Sequence, residues 1–255
     1  MVKLQHPKQK IMKRFFFFFL ILASISANAQ TRFHPQVRIE YEKVVYVRQQ
    51  YKELFPEWFD EFKTMIPEKV VNTYEFVGDT TQSLFREIKE AVLPANTWYE
   101  EVGNKNVVLN NYSTMRTITQ KPVSDETFLV EDSLLKIRWK LTADTRNIAG
   151  YDCRKAIGFV DDTLAIFAFY TDELLVPGGP ESVHGLPGTI LGMGVPRLHA
   201  TWFATKVEVN GVSTASIKPA TKGKKVTRSQ MMTQLDAVLK NWGKYGSSMR
   251  LNFLL

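Results

Sequence analysis

Apolar and charged residues take turns at the start of the chain's main body. Val37, Ile39 and Tyr41 alternate with Arg38, Glu40 and Glu42. A period of two places one set on each face of a pleated strand, so this segment fits a sheet with one buried and one wetted side. Similar short runs recur, separated by turn residues. Val70–Val77 and Ser83–Ile88 flank Gly78-Asp79. Thr97–Val102 and Asn106–Asn111 flank Gly103-Asn104. Thr114–Gln120, Thr127–Val130 and Lys136–Leu141 follow. Asp152–Val160 and Thr163–Tyr170 meet at Asp161-Asp162, and Leu198–Val209 comes last. Gly, Asn and Asp tolerate the positive φ of tight hairpins, which makes these junctions turns rather than breaks. The pattern predicts a mainly β fold: a large curved antiparallel sheet, a half-barrel or open barrel, with few helices.

Two segments depart from it. Leu54–Ile66 carries Trp58, Phe59, Phe62, Met65 and Ile66 on one helical face, with Pro56 suited to a first turn and Pro67 closing it. Near the C-terminal end, Thr227 and Gln230 have capping-box spacing. Met231, Met232, Leu235, Val238, Leu239 and Trp242 follow at helical spacing, and Gly243 supplies a stop. This predicts an amphipathic helix packed on the sheet.

The first 29 residues read as a secretory signal. Lys8, Lys10, Lys13 and Arg14 precede an apolar run from Phe15 to Ala23. Ala27-Asn28-Ala29 then offers a small-x-small cleavage site before Gln30. Met12 is an alternative start. The apolar run is shorter than the ~20 residues of a membrane span, and no cysteine follows it to carry a lipid. The expectation is a periplasmic or secreted protein with no transmembrane anchor, its residues 30–255 forming a single domain. Five of the 33 basic residues and none of the 26 acidic ones precede residue 30, so the rest carries only +2. That removes the global charge argument for nucleic acid. Locally, Asn210–Val226 is a basic stretch with Lys218, Lys222, Lys224 and Lys225, a solvated loop or a contact for acidic head groups or polysaccharide.

Chemistry-bearing motifs are scarce. Walker, H-E-x-x-H, C-x-x-C and G-x-S-x-G patterns are absent, and no cofactor is implied. Cys153, the one cysteine, falls on a strand without a histidine partner in its motif, which reads as an inert buried thiol. His184, Met193 and His199 lie around what reads as a turn and form a weak set for copper or zinc. His184 or His199 beside a carboxylate or hydroxyl would be the core of a hydrolase.

The most distinctive run lies between Ile148 and Leu191. It contains Gly150-Tyr151-Asp152-Cys153-Arg154-Lys155-Ala156, then Ala168-Phe169-Tyr170-Thr171, Gly178-Gly179-Pro180-Glu181, and Gly185-Leu186-Pro187-Gly188-Thr189-Ile190-Leu191. In order and spacing it resembles the GLPGLI family of exported proteins from Gram-negative bacteria. Thr189 stands where that family usually has a second leucine, and Phe169 where tryptophan is common. The resemblance implies an envelope protein of unassigned function rather than a reaction. On the residues themselves, Gly185 and Gly188 allow positive φ while Pro187 stiffens the bend and leaves Leu186 to plug the core. The stretch reads as a rigid corner that fixes topology, or as one lip of a ligand pocket built from Gly178, Gly179, Pro180, His184, Gly185, Leu186, Pro187 and Gly188. The functional expectation is a non-catalytic accessory protein of the cell envelope, binding an apolar small molecule or an outer-membrane partner. A hydrolase and a metal-binding protein are the alternatives.

Overall fold

A computed structural model describes residues 33–97, 99 and 102–255. The expected export signal lies outside the described residues, as do Trp98, Glu100 and Glu101 of the strand expected over Thr97–Val102; Thr97, Tyr99 and Val102 are described and belong to no strand. Twelve strands form one open sheet: β1 (Gln36–Val45), β2 (Val70–Asp79), β3 (Gln82–Lys89), β4 (Val107–Asn111), β5 (Arg116–Val123), β6 (Glu126–Ser133), β7 (Ile137–Ile148), β8 (Tyr151–Val160), β9 (Leu164–Thr171), β10 (Thr189–Val195), β11 (Ala200–Glu208) and β12 (Lys224–Val226). Their spatial order is β12-β6-β5-β4-β3-β2-β1-β11-β10-β9-β8-β7. Every pairing is antiparallel except that of β12 with β6. The mainly β, curved-sheet expectation is met.

Alternation is obeyed where the turns are tightest. Asp161 and Asp162 both adopt positive φ in the three-residue turn between β8 and β9, where the Thr163 amide donates to the Val160 carbonyl. At the β2–β3 turn Asp79 accepts from the Thr81 and Gln82 amides, which closes the turn through a side chain. On β1 the inward residues are Val37, Ile39, Tyr41, Lys43 and Val45, all buried. Tyr41 faces Tyr74 across the strand pair, and Tyr74 stacks on Phe85 at 5.0 Å between centroids.

The helices differ from expectation in instructive ways. Leu54–Ile66 is not one helix. A helix α1 (Val47–Leu54) precedes it, and a single turn α2 (Phe59–Phe62) lies within it. Phe55, before Pro56, is pushed to φ −133° and ψ 57°, out of the helical region, which ends α1. Trp58 and Met65 are consequently exposed, and only Ile66 of that stripe is fully buried. The capping box at Thr227 is present in both directions, and it starts α3 (Arg228–Leu239). Met231, Met232, Leu235 and Leu239 pack inward, but Val238 and Trp242 do not. Gly243 does not end the helical region. It opens a further helix, α4 (Gly243–Leu251), tied back to α3 by Arg250 Nε at 2.6 Å from Asp236 Oδ1. No helix among the described residues is long and apolar enough to cross a membrane.

The loop after β11 covers the opposite face of the sheet. Its Ile217 is buried with Val77, Leu84 and Leu109. Two of the lysines in this basic stretch are paired, Lys224 with Glu126 at 3.2 Å and Lys225 with Glu131 at 2.9 Å.

Candidate functional site

The glycine-proline corner is a packed joint. Gly185 and Gly188 take φ values of +93° and +136°, and Leu186 is buried. A Cβ on Gly188 would collide with the Thr171 carbonyl oxygen. Thr189 donates to the carbonyls of both Leu174 (3.1 Å) and Val176 (2.8 Å), pinning the incoming loop to β10 through a hydroxyl. Gly178 is bridged to His184, and Gly178, Gly179 and Pro180 are buried. His184, Gly185 and Pro187 are the more open members of the run. His184 Nε2 lies 2.9 Å from the Leu135 carbonyl, and its own carbonyl accepts from Trp139 Nε1 at 3.0 Å. Burial lowers the His184 pKa, favouring the neutral ring.

The corner does bring the eight residues of the expected lip together. None of them lines either of the two cavities described below.

A strand, not a turn, separates the two histidines expected as metal ligands. His184 precedes β10 and His199 follows it, so they flank opposite ends of a seven-residue strand spanning ~20 Å. Met193, inside β10, is fully buried. His199 sits at φ +48° after a 3-10 turn (Pro196–Leu198), with Nε2 2.8 Å from Glu53 Oε2 on α1. Among the described residues, no group of three or more His, Cys, Asp or Glu is placed to hold an ion. Cys153 is buried, and burial pushes its thiol up to about 12, leaving it unreactive at neutral pH.

Open space lies elsewhere. A groove of about 1000 Å³ runs between the inner face of the sheet and the helices α3 and α4. Val70, Phe128, Leu235, Val238, Trp242 and Phe253 are among its apolar walls, while Asn72, Glu90, Lys105 and Gln234 stand at polar points along it. Val238 and Trp242, the two stripe residues that fail to pack, are 60% and 49% exposed because they face this space.

Beside it lies a second cavity of about 50 Å³ whose walls include Lys43, Glu181, Gln50, Ser248, Asn252 and Trp202. The two cavities share Tyr99, Val102, Gly103, Tyr245 and Met249. Behind the smaller one is a buried polar centre. Lys43, Lys121, Glu181 and Asn106 are each no more than 5% exposed. Asn106 Nδ2 donates to Glu181 Oε2 at 3.1 Å, and Lys121 Nζ donates to the Leu255 main-chain oxygen. Lys43 Nζ lies over the rings of Trp202 and Tyr74, 5.3 and 5.8 Å from their centroids. Burial brings the Lys121 ammonium down to about 8, while Glu181 pulls it back up and Lys43 lowers it further. Lys43 and Lys121 belong to strands four places apart in the sheet, ~19 Å if it were flat. Their mutual influence reflects how strongly the sheet curls.

Sequence reasoning missed both lysines. The signal was there: each takes the inward slot of its strand, after Val37-Ile39-Tyr41 on β1 and after Thr117-Thr119 on β5.

A family model described as the N-glycanase peptide, N-terminal domain, matches residues 79–235. Among solved structures, one titled as PNGF-II in a C2 space group aligns with a TM-score of 0.50 and 18% identity. It covers 76% of this chain and 31% of its own. PNGF-II in a P21 space group aligns at 0.49 and 18%, covering 75% and 32%. An uncharacterised conserved protein from Thermus thermophilus aligns at 0.37 and 7%, covering 76% and 91%. The chain thus spans about a third of the length of the PNGF-II structures. No curated protein sequence matches it.

Proposed function

The chain belongs to the N-glycanase peptide N-terminal-domain family, and from that premise we propose that it is an exported, non-catalytic binding domain that holds an apolar small molecule between its sheet and its C-terminal helices. The observation that carries this reading is the groove of about 1000 Å³ bounded by Phe128, Leu235, Val238, Trp242 and Phe253. Ligand sites are typically concave, mostly apolar and supplied with a few polar anchors, with volumes of roughly 300–1,000 Å³. Exposed Val238 and Trp242 fit a wall that is completed by a ligand. The resemblance of the Gly185–Leu191 corner to exported GLPGLI proteins supports the same compartment.

Titration with Nile red tests it. Saturable binding with a rise in emission is the expected result. Val238→Glu, at an exposed position, weakens that binding at least tenfold and leaves the thermal midpoint within a degree or two. Absence of saturable binding by the native protein defeats the proposal.

A hydrolytic reading rests on one contact, His199 beside Glu53. Neither residue lines either cavity, so the pair fits the role of a tie between α1 and the β10–β11 turn better than that of a general base over bound substrate.

A further inference from the structure

The charged side chains of the groove are already matched with opposite charges of the protein's own. Glu90, Lys105 and Glu126 are the charged residues among its described walls. Glu90 Oε1 lies 3.1 Å from Lys105 Nζ, and Glu126 Oε1 lies 3.2 Å from Lys224 Nζ, which also donates to Gln234 Oε1 at 2.8 Å. The amides are occupied too. Asn72 Oδ1 accepts from the Ala91 amide at 2.8 Å, and Gln234 Nε2 donates to the Gln230 carbonyl at 3.3 Å. In the polar centre behind the smaller cavity the cations are engaged as well: Lys121 donates to the Leu255 main-chain oxygen, and Lys43 lies over the Trp202 and Tyr74 rings. A charged head group entering this space loses its water and gains no counter-ion unless an existing pair breaks. A neutral molecule meets no such cost, and the apolar walls supply the gain.

Size decides whether the head group enters. At the ~30 Å³ that a water occupies in the liquid, the groove of about 1000 Å³ takes on the order of thirty non-hydrogen atoms. That exceeds a single short acyl chain and leaves room for a head group beside its chains.

We infer that the ligand of the groove is an uncharged lipid of the diacylglycerol type, taken up together with its head group, and that the groove rejects charged lipids with the same chains. This rests on the apolar-ligand reading above and adds the head group to it. No covalent step is involved. Selectivity arises from what a competitor loses: the native pairs Glu90–Lys105 and Glu126–Lys224 leave no wall charge to receive another.

Displacement of Nile red from the native protein at pH 7, below the micellar range, compares three lipids with the same two chains: 1,2-dioctanoylglycerol, dioctanoyl phosphatidate and dioctanoyl trimethylammonium propane. The neutral lipid binding at least tenfold tighter than both charged ones is the expected result. In Glu90→Gln, which frees Lys105, the ratio of neutral to anionic affinity falls about threefold, the size expected of an exposed pair. Each ratio is taken within one protein, so a general loss of stability moves both ligands together. Charged lipids that bind as well as the neutral one, or displacement by none of the three, overturn the head-group assignment and leave the apolar site standing. Failure of Nile red itself to bind overturns both. An unchanged ratio in Glu90→Gln overturns exclusion by ion pairing.

Discussion

Two regions of one sheet treat their inner face in opposite ways. Across β8 to β11 the space is filled by the protein's own side chains: Ile166, Ala168, Tyr170, Ile190 and Met193 are all at or below 1% exposure. Across β2 to β6 the inward positions include Asn72, Thr117, Thr119 and Lys121, and the covering helices leave a groove of about 1000 Å³. The first region contains the conspicuous motif, and there the motif locks a corner by removing Cβ atoms where strand and loop touch. The second has no motif and contains the space. A loud sequence signature can thus mark where a fold is sealed, while open space arises where the inward slots are not filled by large apolar side chains.

The contrast can be broken, and the largest effect is expected at the corner. Gly188→Ala combines a left-handed φ with a clash against the Thr171 carbonyl, so it should destabilise by about 3 kcal/mol. Urea unfolding would show this, and a loss under 1 kcal/mol would mean the corner yields and the sealed region is not sealed.

The next effect concerns the polar centre. Lys121 folds with its pKa near 8 against 10.5 when free, so from pH 8 upward the unfolded chain holds more protons and stability rises. Cys153 and the buried Tyr41 act in the other direction above about pH 9 to 10, because burial raises them and the unfolded chain loses those protons first. Comparing native protein with Lys121→Met cancels that opposing limb. The difference in stability between the two should shift by roughly 2–3 kcal/mol in favour of the native protein between pH 7 and pH 10. A flat difference would place Lys121 in water.

Smallest is the groove wall. Thr227→Ala removes the capping box that starts α3, at a cost of about 1 kcal/mol. If α3 is held mainly by its four buried residues, hydrogen exchange will quicken only in its first turn. Exchange that quickens through the whole helix would show that the wall depends on its cap.

The fold was largely readable because strands of this kind announce themselves: apolar slots recur at period two and the turns have Gly, Asn or Asp where φ must be positive. Helices near Pro56 and Gly243 were misread for local reasons. Pro56 acts on Phe55 before it acts on its own helix, and Gly243, at φ +55°, is a left-handed break after which the chain turns into another helix instead of leaving the helical region. The candidate site was less readable. Lys43 looks like one more charged residue until its register is counted from Val37, and its neighbours Lys121 and Glu181 arrive from positions 78 and 138 residues further along. Curvature brings them together, and curvature leaves little trace in a pattern of alternate residues.

The sheet also ends in two unequal rims. β12 is three residues long, whereas β7 presents twelve, most of them exposed. A free strand of that length invites other chains to dock by main-chain hydrogen bonding. β7 is interrupted between Leu141 and Thr145, and charged side chains on it are tied to neighbours, Arg138 to Asp162 and Asp144 to Lys155. The kink interrupts the regular register that a docking strand would have to follow, so the long rim is blunted along its own length.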